Sequence, residues 1–378
     1  MSRTARSPVI LWCAISCWLS ATAFSAEPAI VVAPGVFDLE QTEGLGLQAA
    51  GGEHGYLYVA ADHKYKFCHH PQLVVFRGSL FATWSNGRVD EDAVGQRILI
   101  SSSPDGVRWG TPQWLTGERH EICVAAGLHV FDDTLIAFFT VTGGTNFHPE
   151  TALFAIRSRD GKEWSKRQLI TKGFFIEGPR ALHDGRLLLA GEQVDPDRET
   201  GRMRVLISDD PSGLGPWAEV QIEPQMAKTF GYTEPALLLT GPGKATLLLR
   251  NYSGTLYAST SNDNGSSWSV PEQTNYPDST ARIAAGTLPS GMSYLINNAS
   301  ATQFDRGNLV LGLSQDGVTF DRALLLRGEP TKVRYPGKHK LAGWQYPHAV
   351  SWRRHLYIAY SVNKEDVAIT RIPLKRLR

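Results

Sequence analysis

The sequence carries almost no excess charge of either sign. Its 38 Lys and Arg residues against 37 Asp and Glu residues give a formal net charge of +1. Proteins that bind nucleic acids or anionic membranes through a broad surface have a basic excess. The sequence therefore argues against both kinds of partner, although a few arginines in one pocket could still bind a small acidic substrate.

Cysteine is also scarce. Of the 4 cysteines, Cys13 and Cys17 lie in an apolar segment near the N-terminus, which leaves Cys68 and Cys123 for the folded part. These two either form one disulfide in an oxidising compartment or stay as buried thiols, and the sequence leaves both alternatives open. One bridge at most is too few for a disulfide scaffold, so a core built from the 42% hydrophobic residues must stabilise the fold.

Hydrophobic runs long enough to span a membrane are missing. Near the N-terminus the apolar stretch "PVILWCAISCWL" follows Arg3 and Arg6 and precedes the small residues of "ATAFSA", an order typical of a secretory signal peptide. This stretch is shorter than the roughly 20 residues that a membrane-spanning helix needs. We expect a signal peptide at residues 1–25, a secreted or periplasmic protein, and no membrane span in the mature chain.

The period of an amphipathic helix is absent from every long stretch. Short runs rich in Val, Leu, Ile, Phe and Tyr recur instead, separated by Gly, Asp, Asn and Pro, as in "QLVVF", "TLIAFFT", "RLLLAGE" and "HLYIAYS". This pattern predicts an all-β chain.

One turn signature follows these runs repeatedly. It reads "SPDGVRW", "SRDGKEW", "SNDNGSSW" and "SQDGVTF", with a degraded copy "SDDPSGLGPW". Its Asp can hydrogen-bond the turn backbone and its Gly supplies a positive φ, so we interpret the turns as structural rather than ligand-binding. The aspartates are 55, 50, 53 and 53 residues apart, a regular spacing with about four short strands per step that predicts a β-propeller.

Six inner strands can be counted along the chain, which predicts a six-bladed β-propeller in a single domain over residues 27–378. An N-terminal strand, from either "IVVAPGVFDL" or "GYLYVAA", is expected to complete the last blade and close the propeller, because closure removes exposed sheet edges. The inner strands begin near His70-Pro71, Glu121, Glu177, Glu234, Arg282 and Tyr346-Pro347.

The residues at the start of these strands are polar or charged. In a propeller they converge on the central axis, where ionisable groups are costly to bury unless they pair with each other or bind a ligand. A pair such as Glu177 with Arg180 has a structural explanation, whereas the set as a whole predicts a binding pocket. Its members are His69, His70, Glu121, Glu177, Glu234, Arg282 and Tyr346.

From about Phe67 to the C-terminus the sequence resembles the sialidase superfamily, whose structural hallmark is the Asp-box turn quoted above. The turn is specific for the fold and not for an activity, because binding proteins and lyases carry it too. The resemblance implies a secreted exo-acting glycoside hydrolase for an acidic terminal sugar, provided that the catalytic residues of the family are present.

Four of those residues can be matched one at a time. "YTEPALLLTGPGKATLLLRN" supplies the Glu at the start of one inner strand and the Arg on its far side, Glu234 and Arg250. "FDRGNLVLGLSQDGVTF" supplies a second arginine, Arg306, and "GWQYPHAVSWRRHLYIAYS" supplies the tyrosine that opens the last blade, Tyr346. In place of the usual small residue, a proline follows this tyrosine.

The acid/base residue of the family lies on a loop after the first hairpin. Here "SNGRVDEDAVGQR" offers Asp90 and Asp92, with Glu91 between them. In the same stretch Arg97 either points into the pocket or braces the loop, and the sequence does not distinguish these roles.

The resemblance also implies what each group does. A sialoside bears a carboxylate on its anomeric carbon and would repel a carboxylate nucleophile, so a tyrosine activated by a glutamate attacks instead. Arginines bind the substrate carboxylate as bidentate forks. The loop Asp protonates the leaving oxygen and later activates water.

The sequence departs from the family at the first inner strand, where His69-His70-Pro71 stands in place of an arginine motif. Carboxylate binding is then weaker unless a protonated histidine or Arg282 compensates. Because neighbouring residues of a regular strand point to opposite faces, we expect only His70 to face inward and do not expect the two histidines to bind one metal ion.

No cofactor is expected, a structural calcium ion stays open, and the expected partner is an acidic glycan. Two other functions remain. One is a polysaccharide lyase that cleaves a uronic-acid-containing glycan by β-elimination, with His70 and Tyr346 as base and acid and Arg250 neutralising the carboxylate. The other is a non-catalytic carbohydrate-binding propeller, against which the joint presence of Glu234, Arg250, Arg306 and Tyr346 argues.

Overall fold

The computed structural model describes residues 28–61, 65–117, 120–143, 148–194, 200–201, 203–222, 225–226 and 232–378. The expected signal peptide at residues 1–25 lies outside this part of the chain. The helices found in the described residues are two single turns of 3-10 helix, Gly44–Gly46 and Leu374–Arg376. None of the described helices has the length and apolar character of a membrane span.

Six four-stranded antiparallel sheets form the blades of a β-propeller, which confirms the predicted fold class. In blades 1 to 5 the strands follow each other along the chain from the innermost to the outermost. Their bounds are Phe67–Phe76, Ser79–Gly87, Arg97–Ser103 and Gln113–Trp114 in blade 1; Ile122–Phe131, Thr134–Thr142, Ala152–Ser158 and Gln168–Lys172 in blade 2; Arg180–Ala181, Leu187–Glu192, Met203–Ser208 and Ala218–Val220 in blade 3; Ala236–Gly241, Lys244–Leu249, Thr255–Ser261 and Glu272–Pro277 in blade 4; Ala284–Thr287, Ser293–Asn297, Leu309–Ser314 and Arg322–Arg327 in blade 5.

Blade 6 is completed by the N-terminal part of the chain. Its first three strands are Trp344–Trp352, His355–Val362 and Asp366–Pro373, and its outermost strand is Glu53–Tyr58. The stretch "GYLYVAA" therefore supplies the closing strand. The other candidate stretch forms Val31–Val32, which pairs in parallel with Thr319–Phe320, and a further short pair joins Thr200–Gly201 to Gln225–Met226.

The hydrophobic core consists of layers between neighbouring blades. Six clusters of buried side chains each combine residues from two adjacent blades. For example, Leu311 of blade 5 packs in one cluster with Ile358 of blade 6, and Leu73 of blade 1 packs in another with Tyr357 of blade 6. Both faces of the central strands are thus buried, which explains apolar runs such as residues 247–249, where a strand with one solvated face would alternate.

The Asp-box turns follow the third strand of their blades, at the end of the propeller opposite the start of the inner strands. In blade 2, Ser158 Oγ donates to Asp160 Oδ1 at 2.9 Å, and the same oxygen accepts the backbone N–H groups of Lys162 and Glu163. These backbone hydrogen bonds lower the pKa of Asp160 to about 2. The aspartates serve the turn itself, as the sequence predicted.

Both cysteines of the described residues are buried free thiols. Cys68 lies on the inner strand of blade 1 and Cys123 on that of blade 2, and no bridge joins them. Of the two alternatives left open by the sequence, the structure has the thiols.

Candidate active site

Near the start of three inner strands lies a non-glycine residue in the left-handed backbone region. His70, Glu234 and Tyr346 have φ angles of 52°, 36° and 57°, and each precedes a proline. In blades 1 and 6 this residue and its proline form a β-bulge, where two residues lie opposite one on the second strand. Such conformations cost about 1–3 kcal/mol each and are concentrated at functional sites, so the three bulged or bent strand entries mark the axis of the propeller as a candidate site.

A closed triangle of hydrogen bonds joins blades 4 and 6 at the axis. Tyr346 Oη donates to Glu234 Oε1 at 2.7 Å, while Arg250 Nη1 donates to Tyr346 Oη at 2.8 Å and to Glu234 Oε2. The three residues are only 5%, 6% and 7% exposed. The predicted nucleophile, its predicted activating carboxylate and one predicted arginine are therefore in direct contact.

The electrostatics of the triangle keep the phenol protonated at rest. Burial raises the pKa of Tyr346 well above its usual value, the Arg250 guanidinium opposes that rise, and the Glu234 carboxylate adds to it. The phenolic proton already points at Glu234 Oε1. In a reaction in which the phenol oxygen attacks, Glu234 is in place to accept the proton, and Arg250 is in place to stabilise the developing negative charge.

Two more guanidinium groups lie buried around the same axis. Arg306, 3% exposed, donates through Nη1 and Nη2 to the backbone carbonyls of Ser279 and Thr280, and its Nε–H has no hydrogen-bond partner among the described residues. Arg282, 2% exposed, lies 3.7 Å from Glu177 Oε2, and its Nη1 likewise lacks a hydrogen-bond partner within the described part of the chain. Buried donors without acceptors point to an anionic ligand.

Glu177 holds one side of this site in position. Its carboxylate accepts a hydrogen bond from Arg180 and faces Arg282, so the predicted pair with Arg180 exists and extends to a second arginine. His348 lies within the same electrostatic environment, and burial lowers its pKa to about 3, with the Glu177 carboxylate acting in the opposite direction. Glu177 therefore pairs with two arginines, Arg180 and Arg282, and does not present an unpaired carboxylate to the site.

Both histidines of the first strand contact the tyrosine. The His69 and His70 ring centroids lie 3.9 Å and 5.2 Å from that of Tyr346, and 4.3 Å from each other. The expectation that only His70 faces inward fails because the bulge after His69 breaks the regular alternation. The pKa values of both are well below 6.5, chiefly through burial, so neither histidine replaces the charge of the missing arginine at neutral pH.

Of the acidic loop residues, Glu91 contacts a histidine whose ring packs against Tyr346. Its Oε1 is 3.5 Å from His69 Nε2, and its Oε2 pairs with the ammonium of Lys364. Asp90 accepts a hydrogen bond from a backbone N–H of the segment that precedes blade 6, and Asp92 occupies a turn with a φ of 53°. The loop was recognisable from sequence, but the residue that reaches His69 was not, because loop conformation decides it.

Two predicted residues make other contacts. The central guanidinium carbon of Arg97 lies 3.5 Å from the ring centroid of Tyr65 and 4.2 Å from that of Trp114. Glu121 pairs with Arg167 at 2.9 Å, a residue just before the outermost strand of blade 2. These contacts give Arg97 and Glu121 partners outside the triangle.

The histidines and the acidic loop offer donor atoms for a metal ion, but the positive side chains around them disfavour a cation. Ligand atoms of His69, His70 and Glu91 all lie within 4.8 Å of one another, and two histidines with one carboxylate suit transition metals. However, Lys364 already pairs with that carboxylate, and Lys364 and Arg282 both act on the two histidines strongly enough to lower their pKa values. The cluster is better suited to an anion than to a second cation.

Fold and site together define a propeller of the sialidase type, with Tyr, Glu and Arg side chains meeting on the axis. Residues 78–358 match the BNR repeat-like domain family, and the chain belongs to that family. No significant match was found among curated proteins.

Solved sialidases share the fold. One sialidase superposes with a TM-score of 0.66 at 19% identity over 92% of this chain and 35% of its own length. The NanB sialidase of Streptococcus pneumoniae gives 0.63 at 12% identity over 85% of this chain and 71% of its own. The Trypanosoma rangeli sialidase bound to sialic acid gives 0.64 at 14% identity over 87% of this chain and 60% of its own, and that enzyme has also been solved with the inhibitor DANA.

The chain covers only part of the length of each of these sialidases. The chain spans about a third of the first sialidase and 60% of the trypanosomal one. Likeness at these identities establishes the fold of this chain and not its reaction.

Proposed function

We propose that the protein is a secreted glycoside hydrolase of the sialidase type that releases an acidic terminal sugar from a glycan. The observation that carries this proposal is the buried triangle of Tyr346, Glu234 and Arg250. A lectin needs no hydroxyl held between a carboxylate and a guanidinium, whereas a covalent glycosidase with a tyrosine nucleophile does.

In this mechanism Tyr346 Oη attacks the anomeric carbon while its proton passes to Glu234 Oε1, 2.7 Å away. The glycosidic bond breaks in the same step, and the leaving oxygen takes its proton from the acid on the loop after the first hairpin. Arg250 donates to Tyr346 Oη and to Glu234 Oε2, and it stabilises the phenolate that forms during the attack. Water then attacks the anomeric carbon and gives a proton to the loop residue that acted as the acid. The bond from the sugar to Tyr346 Oη breaks, and Glu234 returns its proton to the phenol.

The substrate carboxylate is held by buried guanidinium groups. Arg250 and Arg306 have Nε–H groups without partners among the described residues, and Arg282 has such an Nη1 group. Protein acceptors fix the Arg306 guanidinium in orientation before a ligand arrives. This preorganisation favours an acidic sugar over a neutral one.

Protonation of the leaving oxygen falls to the loop after the first hairpin. We assign this role to Glu91, because it lies next to His69, whose ring contacts the ring of Tyr346. Asp90 and Asp92, the family-derived choices, lie on the same loop and remain the alternatives. Replacing each of the three by its amide and comparing substrates with good and poor leaving groups identifies the acid, since only the poor leaving group requires it.

One observation favours β-elimination as the second candidate. His69 and His70 are neutral, buried and in ring contact with Tyr346, as a base beside a phenolic acid would be. Elimination requires a uronic acid and leaves an unsaturated sugar that absorbs in the ultraviolet, whereas hydrolysis leaves a free reducing sugar.

The deciding experiment measures turnover of a fluorogenic aryl sialoside and of uronic-acid glycans. We expect release of free sialic acid without an unsaturated product. Tyr346→Phe should lower kcat by on the order of 10⁴-fold or more, since the attacking oxygen itself is lost. The matched control is Tyr357→Phe, a buried tyrosine at the Asp-box end of the propeller, which should keep wild-type kcat.

Full turnover by Tyr346→Phe would contradict the tyrosine mechanism. An unsaturated product from a uronic-acid glycan would replace hydrolysis with elimination. Absence of both binding and turnover with every acidic glycan would contradict hydrolysis and elimination alike.

A further inference from the structure

A lysine from the far end of the chain reaches the candidate site. Lys364 lies in the hairpin turn between His355–Val362 and Asp366–Pro373 of blade 6, and its backbone carbonyl accepts the N–H of Cys68 at 2.9 Å. That contact ties the turn to the first inner strand. The residue is only 6% exposed, although it lies on a turn.

The ammonium of Lys364 lies among the groups of the first strand. It pairs with Glu91 Oε2 and is 5.8 Å from the centroid of the Tyr346 ring. After burial, its charge is one of the causes that lower the pKa values of His69 and His70. The ammonium therefore places a positive charge beside the tyrosine, on the side of the site where His69 and His70 are uncharged.

A purely structural role explains this arrangement poorly. Taking an ammonium and a carboxylate out of water costs several kcal/mol per ion in practice, and an apolar pair of similar volume is often as stable. Glu91 is itself on a loop at the open end of the blade, with a side chain only 12% exposed. Ion pairs maintained in this way at a site are candidates for exchange with a charged ligand.

We propose that Lys364 supplies the positive charge that an arginine of the first blade would otherwise bring, and that it binds the substrate carboxylate together with Arg250 and Arg306. The proposal rests on the function proposed above and specifies its substrate class as sugars with an ionised carboxylate at the reacting carbon. Binding exchanges Glu91 for the substrate carboxylate as the partner of Lys364. Glu91, no longer paired with the ammonium, can then take up a proton from solvent and donate it to the leaving oxygen. A lysine binds as a point charge, so this contact constrains the carboxylate orientation less than an arginine fork does.

The test compares two ligands that differ only in this carboxylate, DANA and its methyl ester. Their dissociation constants are measured by calorimetry for the wild type and for Lys364→Met, a variant of similar length without charge. We expect Lys364→Met to bind DANA at least ~10-fold more weakly, as expected for loss of a hydrogen bond to a charged group, and to bind the ester as the wild type does. Lys364→Arg, which keeps the charge, should restore most of the preference for the acid.

Two further variants separate ligand contact from loop bracing. Glu91→Gln removes the partner of Lys364 and should retain the preference for acid over ester. Lys340→Met removes another buried ammonium, which donates to the carbonyls of Lys66 and Tyr335, and should also retain that preference. Circular dichroism and thermal unfolding confirm that each variant is folded before it is compared.

Equal weakening of acid and ester in Lys364→Met, reproduced by Glu91→Gln, would overturn the proposal and leave Lys364 as a brace of the loop. An unchanged preference in Lys364→Met would overturn it as well. A wild type that neither binds DANA nor hydrolyses sialosides would instead contradict the proposed function, so the two failures are distinguishable.

Discussion

Single residues at this axis adopt conformations that strands normally avoid. His70 and Tyr346 each have a positive φ at a bulge, and Glu234 has one at the start of its strand. The residue types were readable from the sequence, but their directions were not, because alternation is a property of regular strands. The adjacent His69 shows the consequence, since its ring contacts Tyr346 although it was expected to face away.

Buried neutral histidines should make stability depend on pH. His69 is fully buried, and its folded pKa is well below the 6.5 of an exposed histidine, so below pH 6.5 the unfolded chain takes up a proton that the folded chain does not. The contribution of His69 to the free energy of unfolding is therefore complete above pH 6.5. It is lost as the pH falls, at about 1.4 kcal/mol per pH unit for such a group. His69→Gln should lose roughly 1 kcal/mol less than the wild type between pH 7.5 and 5.5, measured by urea unfolding.

The variant must be compared with the wild type because Asp278 changes the free energy of unfolding with pH in the opposite direction to His69. Burial raises its pKa to about 6, so its unfavourable charged form disappears as the pH falls. The control His183→Gln changes an exposed histidine and should keep the wild-type pH dependence. A slope unchanged in His69→Gln would mean that His69 is protonated in the folded protein.

At the scale of elements, the two ends of each blade have separate tasks. The start of the inner strand carries the polar and strained residues, whereas the turn after the third strand carries the Asp-box. The Asp-box was predictable because the hydrogen bonds that form its turn are local, as between Ser158 and Asp160. The loop of Glu91 was not, because its contacts are with His69 and Lys364, which other segments position.

The glycine of the first Asp-box should be needed for contact between blades as well as for its turn. At Gly106, with a φ of 74°, a Cβ atom would lie 2.3 Å from the ring of Tyr357 in blade 6. At Gly185, with a φ of 87°, a Cβ atom would meet no atom within 4 Å. Both alanine variants should lose about 1–2 kcal/mol for the left-handed backbone, and Gly106→Ala should lose roughly 1–3 kcal/mol more through overpacking.

Denaturant unfolding of the two variants measures this difference. Gly185→Ala serves as the control for the backbone contribution alone. Equal losses in both variants would show that the Tyr357 ring moves aside at no cost.

At the scale of the whole molecule, closure brings distant segments to one axis. Tyr346 and Glu234 are 112 residues apart in sequence, and Lys364 and Glu91 are 273 apart. Closure itself depends on Glu53–Tyr58, which pairs with Asp366–Pro373 and places Leu57 in the core between blades 6 and 1.

Removing that strand should open the propeller. A chain lacking residues up to 61 leaves Asp366–Pro373 as an unpaired edge and should self-associate and unfold at a lower temperature, because a free edge is a template for another strand. Light scattering and thermal unfolding are the measurements.

A chain lacking residues up to 51 is the matched control. It loses Val31–Val32 in the same way but keeps the closing strand, so it should scatter light as the full chain does. If both chains behave alike, Glu53–Tyr58 does not close the propeller in solution.

The sequence by itself determined the repeat, the blade number, and the residue types of the triangle, because strands, Asp-box turns and the spacing between them are local patterns. Only the tertiary structure decided that Glu91 lies beside His69, that Arg97 and Glu121 make other contacts, and that Lys364 reaches the axis. The physical reason is that these outcomes depend on bulges, loop paths and closure, which join segments far apart in the chain. Local patterning carries no record of which side chains such distant segments bring together.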